Sequence, residues 1–203
     1  MLKQKNFKQR IWDFIGIPFR FGLFNQHWLK YFHWTSLEQE RIREVIKFVR
    51  GKLLDIGAGT NSLVGLYKNG IGIETYDWGG GTLVVNDSAS LDFAEKSFDT
   101  ITFVASLNHI PNRSAVLKEA VRVLKDNGLI IITMINPLIG YFVHKLIPDR
   151  EDIARGGMQS GELNGIWTKQ LIKMCTQCNL VLQKHHRFLY GLNNLYVFKK
   201  STW

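Results

Sequence analysis

An α/β fold on a doubly wound, mostly parallel sheet is what this sequence predicts, and three observations carry the prediction. Short apolar, β-rich runs alternate with helical patterns from residue 35 onward, the order that builds a parallel sheet. The first of those runs ends in glycines, Gly57 and Gly59, which let backbone approach a ligand closely at a helix N-terminus. The last two runs are joined by Gly191-Leu-Asn-Asn194, which reads as the turn of a closing antiparallel hairpin.

In chain order, Thr35 or Ser36 supplies an N-cap, and Glu38 or Gln39 stands three residues on to complete a capping box. Ile42, Val45, Ile46 and Val49 then recur at helical spacing on one face. Residues 52–56, 71–74, 82–85, 100–105 and 129–134 read as successive strands. Helices are expected between them at 62–68 and at 114–125. The second carries Leu117, Ala120, Val121 and Leu124 on one side, with Asn127-Gly128 as its stop. One more helix is expected over 168–178, and the hairpin pairs 179–189 with 195–199. The sum is a seven-stranded sheet.

At 203 residues the chain suits one domain with an appendage. Hydrophobic residues make up 45% and charged residues 21%, which excludes a disordered chain. Two cysteines cannot staple a domain of this size, so a reducing, cytoplasmic setting is expected. The longest apolar stretch, 129–143, is broken by Thr133, Asn136, Pro137 and Gly140, and reads as a strand and a short helix rather than a membrane span. The basic start is not followed by a secretory-signal pattern, so none is expected.

The formal charge of +9 is uneven: +6 over residues 1–50, −2 over 51–135 and +5 over 136–203. A nucleic-acid reader carries its basic stripe on the domain that meets the polymer, so the distribution argues against nucleic acid as a partner. Residues 1–34 stand apart, with ten aromatics, six Lys or Arg, and the single acid Asp13. Two readings stay open for this arm. It can fold across the domain with its aromatics packed. It can also serve as a peripheral membrane anchor or as a wall of a lipid-accepting pocket, since aromatic and basic residues together suit a headgroup region. Gly16, Pro18 and Gly22 argue against one continuous helix.

The stretch Leu53-Leu-Asp55-Ile-Gly57-Ala-Gly59-Thr-Asn61 is the most informative for chemistry. A G-x-G turn after a strand also serves dinucleotide-binding folds. Asp55 separates the two cases. A carboxylate two residues before Gly57 repels a pyrophosphate and attracts a ligand that carries an ammonium and a sulfonium. Ser62, moreover, stands where G-x-G-x-x-G requires its third glycine.

With these residues in place the sequence resembles the class I S-adenosylmethionine-dependent methyltransferases, in the group containing the ubiquinone and menaquinone biosynthesis enzymes, whose sheet is Rossmann-like. Asp55-Ile-Gly57-Ala-Gly59 resembles the motif around the amino-acid end of the cofactor, and Glu74 the acid that binds the ribose hydroxyls. Asn86-Asp87-Ser88 resembles the adenine-holding region, and Leu107-Asn108-His109-Ile-Pro111 the segment beside the transferred methyl. Glu119, Arg122-Val-Leu124 and Asn127-Gly128 resemble the following helix and strand entry. The resemblance spans about residues 51–135. It implies S-adenosyl-L-methionine as cofactor, bound by Asp55, Gly57, Ala58, Gly59, Asn61, Glu74, Thr75, Asp87, Ser88 and Leu107. Asn61 stands where the family usually has glycine, but Asn tolerates left-handed backbone, so the loop survives. Asp77-Trp78-Gly79-Gly80-Gly81 is less usual. It is either a turn or a loop in which Trp78 covers adenine.

The resemblance implies methyl transfer by in-line displacement, where positioning supplies much of the acceleration. A base is needed only when the acceptor must lose a proton. His109, with Asn108 beside it, is the candidate; a His109 that only shapes the pocket is the alternative. No Asp/Asn-Pro-Pro-aromatic motif follows the fourth strand, which favours O-methylation over nucleobase or amide N-methylation and leaves C-methylation open. The expected acceptor is a small molecule or a lipid- or glycan-linked group, with Tyr141, His144, Arg155 and Met158 as binding candidates. Arg155 can clamp a carboxylate or phosphate or be an ordinary surface residue. An RNA methyltransferase and a non-catalytic binding scaffold of the same fold are the alternatives. No metal is expected. Cys175, Cys178, His185 and His186 mimic four zinc ligands, but helix and strand geometry aim them apart. The expected division is an arm at 1–34 and a methyltransferase domain at 35–203. Within the latter, 51–135 is the cofactor core, 136–167 an acceptor lid, and 168–203 a closing helix and hairpin.

Overall fold

The computed structural model describes residues 5–22, 26–146 and 158–201. Seven strands form one sheet: β1 (Leu53–Ile56), β2 (Gly70–Glu74), β3 (Leu83–Val84), β4 (Phe98–Val104), β5 (Leu124–Ile135), β6 (Leu180–Phe188) and β7 (Asn193–Lys200). Their spatial order is β3-β2-β1-β4-β5-β7-β6. The pairs among β1 to β5 are parallel, and β7 runs antiparallel between β5 and β6. The chain winds outward from β1 to β3, then returns to β4 on the other side of β1. That reversal opens a crevice at the C-terminal ends of β1 and β4, where ligands of such sheets bind.

Alternation along the strands sorts the core onto two faces. Ile130 and Ile132 of β5, with Tyr196 and Phe198 of β7, join Leu117 and Ala120 of α6 (Arg113–Val123) and Leu171 and Cys175 of α8 (Thr168–Thr176). Ile131, Leu195 and Val197 face the other way. They meet Ile42 and Val45 of α4 (Leu37–Val45) and Leu63 of α5 (Ser62–Tyr67). Helix α4 begins on the expected box: Ser36 Oγ accepts from the Gln39 amide and Gln39 Oε1 accepts from the Ser36 amide.

One expected boundary moves. Helix α6 stops at Val123 rather than at Asn127-Gly128, because Leu124 already pairs with Phe98 of β4. The next pair is Thr100 with Leu129, so residues 125–128 bulge out opposite Asp99. Lys125 Nζ donates to Asp99 Oδ1 across that bulge at 2.8 Å. Asn-Gly here turns a strand, not a helix.

Among its described residues the arm forms three short helices, α1 (Phe7–Ile15), α2 (Ile17–Gly22) and α3 (Gln26–Tyr31). Among the rings, Trp34 lies against Trp12, Phe19 and Phe32. The arm is fastened by polar groups. Asp13, fully buried, accepts from Lys5 Nζ, from Gln9 Nε2 at 3.0 Å, and from the Thr35 amide and hydroxyl at 2.9 and 2.8 Å. Arg20, also buried, donates to Thr35 O, Asp13 O and Glu40 Oε1 at 2.8, 2.9 and 2.9 Å. Burial opposes ionisation of Asp13, but the Lys5 ammonium and the Thr35 donors outweigh it and hold its pKa below the ordinary value. A network of this kind is expensive to break from one side, since a buried charge loses its partner. Asp13→Ala is therefore expected to cost about 3–5 kcal/mol in urea unfolding at pH 7. The stabilisation of wild type holds above the ordinary aspartate pKa and is lost as pH falls through the lowered folded value.

Candidate functional site

The C-terminal end of β1 turns through Gly57 (φ +73°) and Gly59 (φ +53°) into α5. Gly57 is forced by its neighbour. A Cβ there would stand 2.3 Å from the Cβ of Ser106, which follows β4. Ser106 Oγ in turn donates to Ile56 O at 2.6 Å, and Ala105 takes φ +56° to enter that turn. A non-glycine residue held in this region stores strain, and such strain concentrates at functional sites. Asn61 adopts φ +61°, as expected of a tolerated substitute for glycine. Its Nδ2 donates to Gly81 O at 3.1 Å, and Gly80 packs directly on the Thr60 backbone. The 77–81 loop therefore folds over the glycine turn, with Trp78 against Tyr76 at 4.7 Å between ring centroids.

Two carboxylates mark this edge. Register places Asp55 between Gly72 and Thr102, and Thr102 Oγ1 donates to Asp55 Oδ1 at 2.6 Å. Asp55 is 2% exposed. Burial and, less strongly, the charge of Glu74 push its pKa up to about 7 against the Thr102 bond, which lowers it. Glu74, at the end of β2, accepts from the Gly59 amide at 2.9 Å and from the Thr75 amide at 3.1 Å. Its carboxylate is thus aimed by backbone rather than left to solvent.

An open cleft of about 540 Å³ lies at the same edge, lined by Thr75, Tyr76, His109, Pro111, Gln159 and Glu162. His109 sits on the 3₁₀ turn Leu107–His109 after β4, with Nδ1 3.3 Å from Glu162 Oε2. The Glu162 side chain is 2% exposed and that of His109 is 25% exposed. Asn108 holds the two segments together: its Nδ2 donates to Leu163 O at 3.1 Å and its carbonyl accepts from the Leu163 amide at 2.9 Å. Arg113 adds bonds to Asn108 O and Gly161 O at 3.1 and 2.5 Å. A carboxylate that engages one imidazole nitrogen fixes the tautomer and makes the other nitrogen the base.

Known proteins can now be set beside this geometry. The methyltransferase domain family matches residues 54–132, the segment that holds Asp55, Glu74 and His109. An uncharacterised protein of Methanocaldococcus jannaschii is 36% identical over 49% of this chain and 43% of its own. A demethylmenaquinone methyltransferase of Corynebacterium efficiens is 35% identical over 51% of each chain. That of Thermotoga maritima is 27% identical over 71% of this chain and 69% of its own. The chain spans about half the length of the first two of these relatives. Among solved structures, an S-adenosylmethionine-dependent methyltransferase of Thermotoga maritima superposes with a TM-score of 0.64 at 17% identity, covering 81% of this chain and 89% of its own. One from Methanosarcina mazei gives 0.57 at 19%, covering 78% and 97%. These two likenesses establish the class I fold.

The C-terminal ends of the parallel strands bring together most of the residues singled out from sequence. Asp55, Gly57, Ala58, Gly59, Asn61, Glu74 and Thr75 share the β1–β2 edge, and the Gly57 and Ala58 amides both donate to Ile73 O at 3.0 and 3.1 Å. Asp87 Oδ1 accepts from the Ala89 amide at 2.8 Å and Asn112 Nδ2 at 3.3 Å, while Ser88 and Leu107 are buried. Tyr141 and Met158 are exposed. The His144 side chain and Arg155 lie outside the described residues. Glu162, Tyr76 and Gln159 were not anticipated: no spacing rule links residue 109 to residue 162. The residues fit S-adenosyl-L-methionine. A buried carboxylate whose charge is raised in energy by a second carboxylate is a place for a cation, and a pyrophosphate would be repelled there. Among the described residues no cluster of His, Cys, Asp or Glu is able to hold a metal ion.

Stability should reveal the strain on Asp55. Its folded pKa of about 7 lies above the ordinary aspartate value. Between roughly pH 4 and 7 the folded chain therefore keeps a proton that the unfolded chain has released, and stability falls as pH rises through that window. Asp55→Asn removes this dependence and retains an acceptor for Thr102. Its Tm is expected to exceed that of wild type at pH 8, with the gain shrinking towards pH 5. A lower Tm for the variant at pH 8 would contradict the burial argument.

Proposed function

We propose that the chain transfers the methyl group of S-adenosyl-L-methionine to a hydroxyl oxygen of a small-molecule or lipid- or glycan-linked acceptor. The observation that carries this reading is the His109–Glu162 pair, at 3.3 Å, in the cleft that Thr75, the residue after Glu74, also lines. When bound, S-adenosyl-L-methionine supplies a methyl already made electrophilic by its sulfonium. Asp55 and the glycine turn receive the amino-acid end, Glu74 and Thr75 the ribose, and Asp87 with Ser88 the adenine. Leu107 is buried, so its part is to pack beneath the turn that carries His109.

Glu162 engages His109 at Nδ1, and in this scheme the imidazole takes the proton of an acceptor hydroxyl at Nε2. The same carboxylate stabilises the imidazolium that results. Asn108 is a positioning residue in this scheme, because its bonds to Leu163 set the Glu162 segment against His109. Tyr141 and Met158 stand as acceptor contacts, with His144 and Arg155 retained on sequence grounds. The relatives named demethylmenaquinone methyltransferase favour a small-molecule acceptor.

Methyl-labelled S-adenosyl-L-methionine tests this with a panel of phenols and prenylated quinols. Label is expected in acid-cleavable methoxy groups. His109→Ala should lower kcat by about 10²–10⁴-fold with cofactor affinity little changed. Glu162→Gln should give a smaller loss and move the acid limb of the kcat–pH profile. Label in carbon-bound methyl or in RNA, or an undiminished kcat in His109→Ala, would overturn the reading.

A further inference from the structure

Helix α1 of the arm is built inside out. Phe7, Ile11, Phe14 and Ile15 recur at helical spacing on one face and are 76%, 46%, 56% and 56% exposed. The opposite face carries Gln9 and Asp13, and it is Asp13 that is buried against Lys5 and Thr35. A water-soluble surface helix shows the reverse arrangement, with its apolar stripe inward. The exposed stripe of α1 is bordered by Lys8 on one side and Arg10 on the other, both exposed. Helix α3 adds exposed Trp28, Lys30 and Tyr31. Helix α2 touches both α1 and α7 (Pro137–Leu146), and on α7 Leu138 and Phe142 are each 60% exposed.

We propose that α1, with the flanking aromatics of α3, docks this protein on a membrane surface of anionic lipid. Charge decides the occupant. The single acid of residues 1–34 is turned inward and bound to Lys5, so the outward stripe is apolar residues rimmed by cations. A second copy of the chain would set the same rim against itself across a two-fold axis, cation facing cation. An anionic bilayer meets both parts, the rim by phosphate and the stripe by the acyl boundary. Among the described residues no helix is long and apolar enough to cross a membrane, so the helix lies in the interface plane. The inference does not depend on the methyl-transfer reading.

Flotation of the full chain with phosphatidylglycerol and phosphatidylcholine vesicles tests the proposal. Association with phosphatidylglycerol vesicles is expected, weak with phosphatidylcholine and falling with salt, accompanied by a blue shift of tryptophan emission. Phe7→Asp with Ile11→Asp should weaken it about tenfold or more, and Lys8→Glu should weaken it about fivefold. These positions are exposed, and circular dichroism checks that each variant keeps its fold. Three results would overturn the proposal: no association by folded wild type, association unchanged in both variants, or a stable dimer in sedimentation equilibrium that Ile11→Asp converts to monomer.

Discussion

One close approach organises the site: the turn after β1 lies against the turn after β4 with no room for a side chain at Gly57. Ser106 occupies the space a Cβ would need, 2.3 Å away, and ties the turns by its bond to Ile56 O at 2.6 Å. Asp55 precedes that contact and is braced by Thr102; Ala105 bends through φ +56° to permit it; the His109 turn follows directly. Asp55 and Glu74 are thereby held at the ends of β1 and β2, while His109 and Glu162 line the cleft that Thr75 also borders.

That arrangement is costly, and the cost is informative. A carboxylate buried in a sheet, with a second carboxylate near, works against folding. No packing role requires it, since Thr102 would bond an amide equally well. Asp13 provides the contrast within the same chain. It is as deeply buried, yet Lys5, Gln9 and Thr35 surround it and its pKa falls. The one acid is structural and satisfied by donors already present. The other is left in a state that a cationic ligand would relieve.

Local features were legible in the sequence because local physics sets them. The Ser36 cap, the glycine turn, the acid closing β2 and the αL position at Asn61 each follow from a few adjacent residues. Features made by contacts across the fold were not. Glu162 meets His109 from 53 positions away, and within its own segment it is only an acid among polar residues. Asn127-Gly128 carries the chemistry of a helix stop, but pairing of Leu124 with Phe98 ends α6 earlier and turns the dipeptide into a bulge. Helix α1 shows an amphipathic pattern whose direction cannot be read from spacing. Only the partners of Asp13, drawn from Lys5 and Thr35, reveal that its polar side faces inward.

The central claim is that the β1–β2 edge binds S-adenosyl-L-methionine through its two carboxylates, and titration calorimetry on the full chain tests it most directly. The prediction is saturable binding at one site by wild type, lost in folded Asp55→Ala and folded Glu74→Ala and retained in Arg155→Ala. Folded wild type that takes up no cofactor, or carboxylate variants that bind it as wild type does, would contradict the claim.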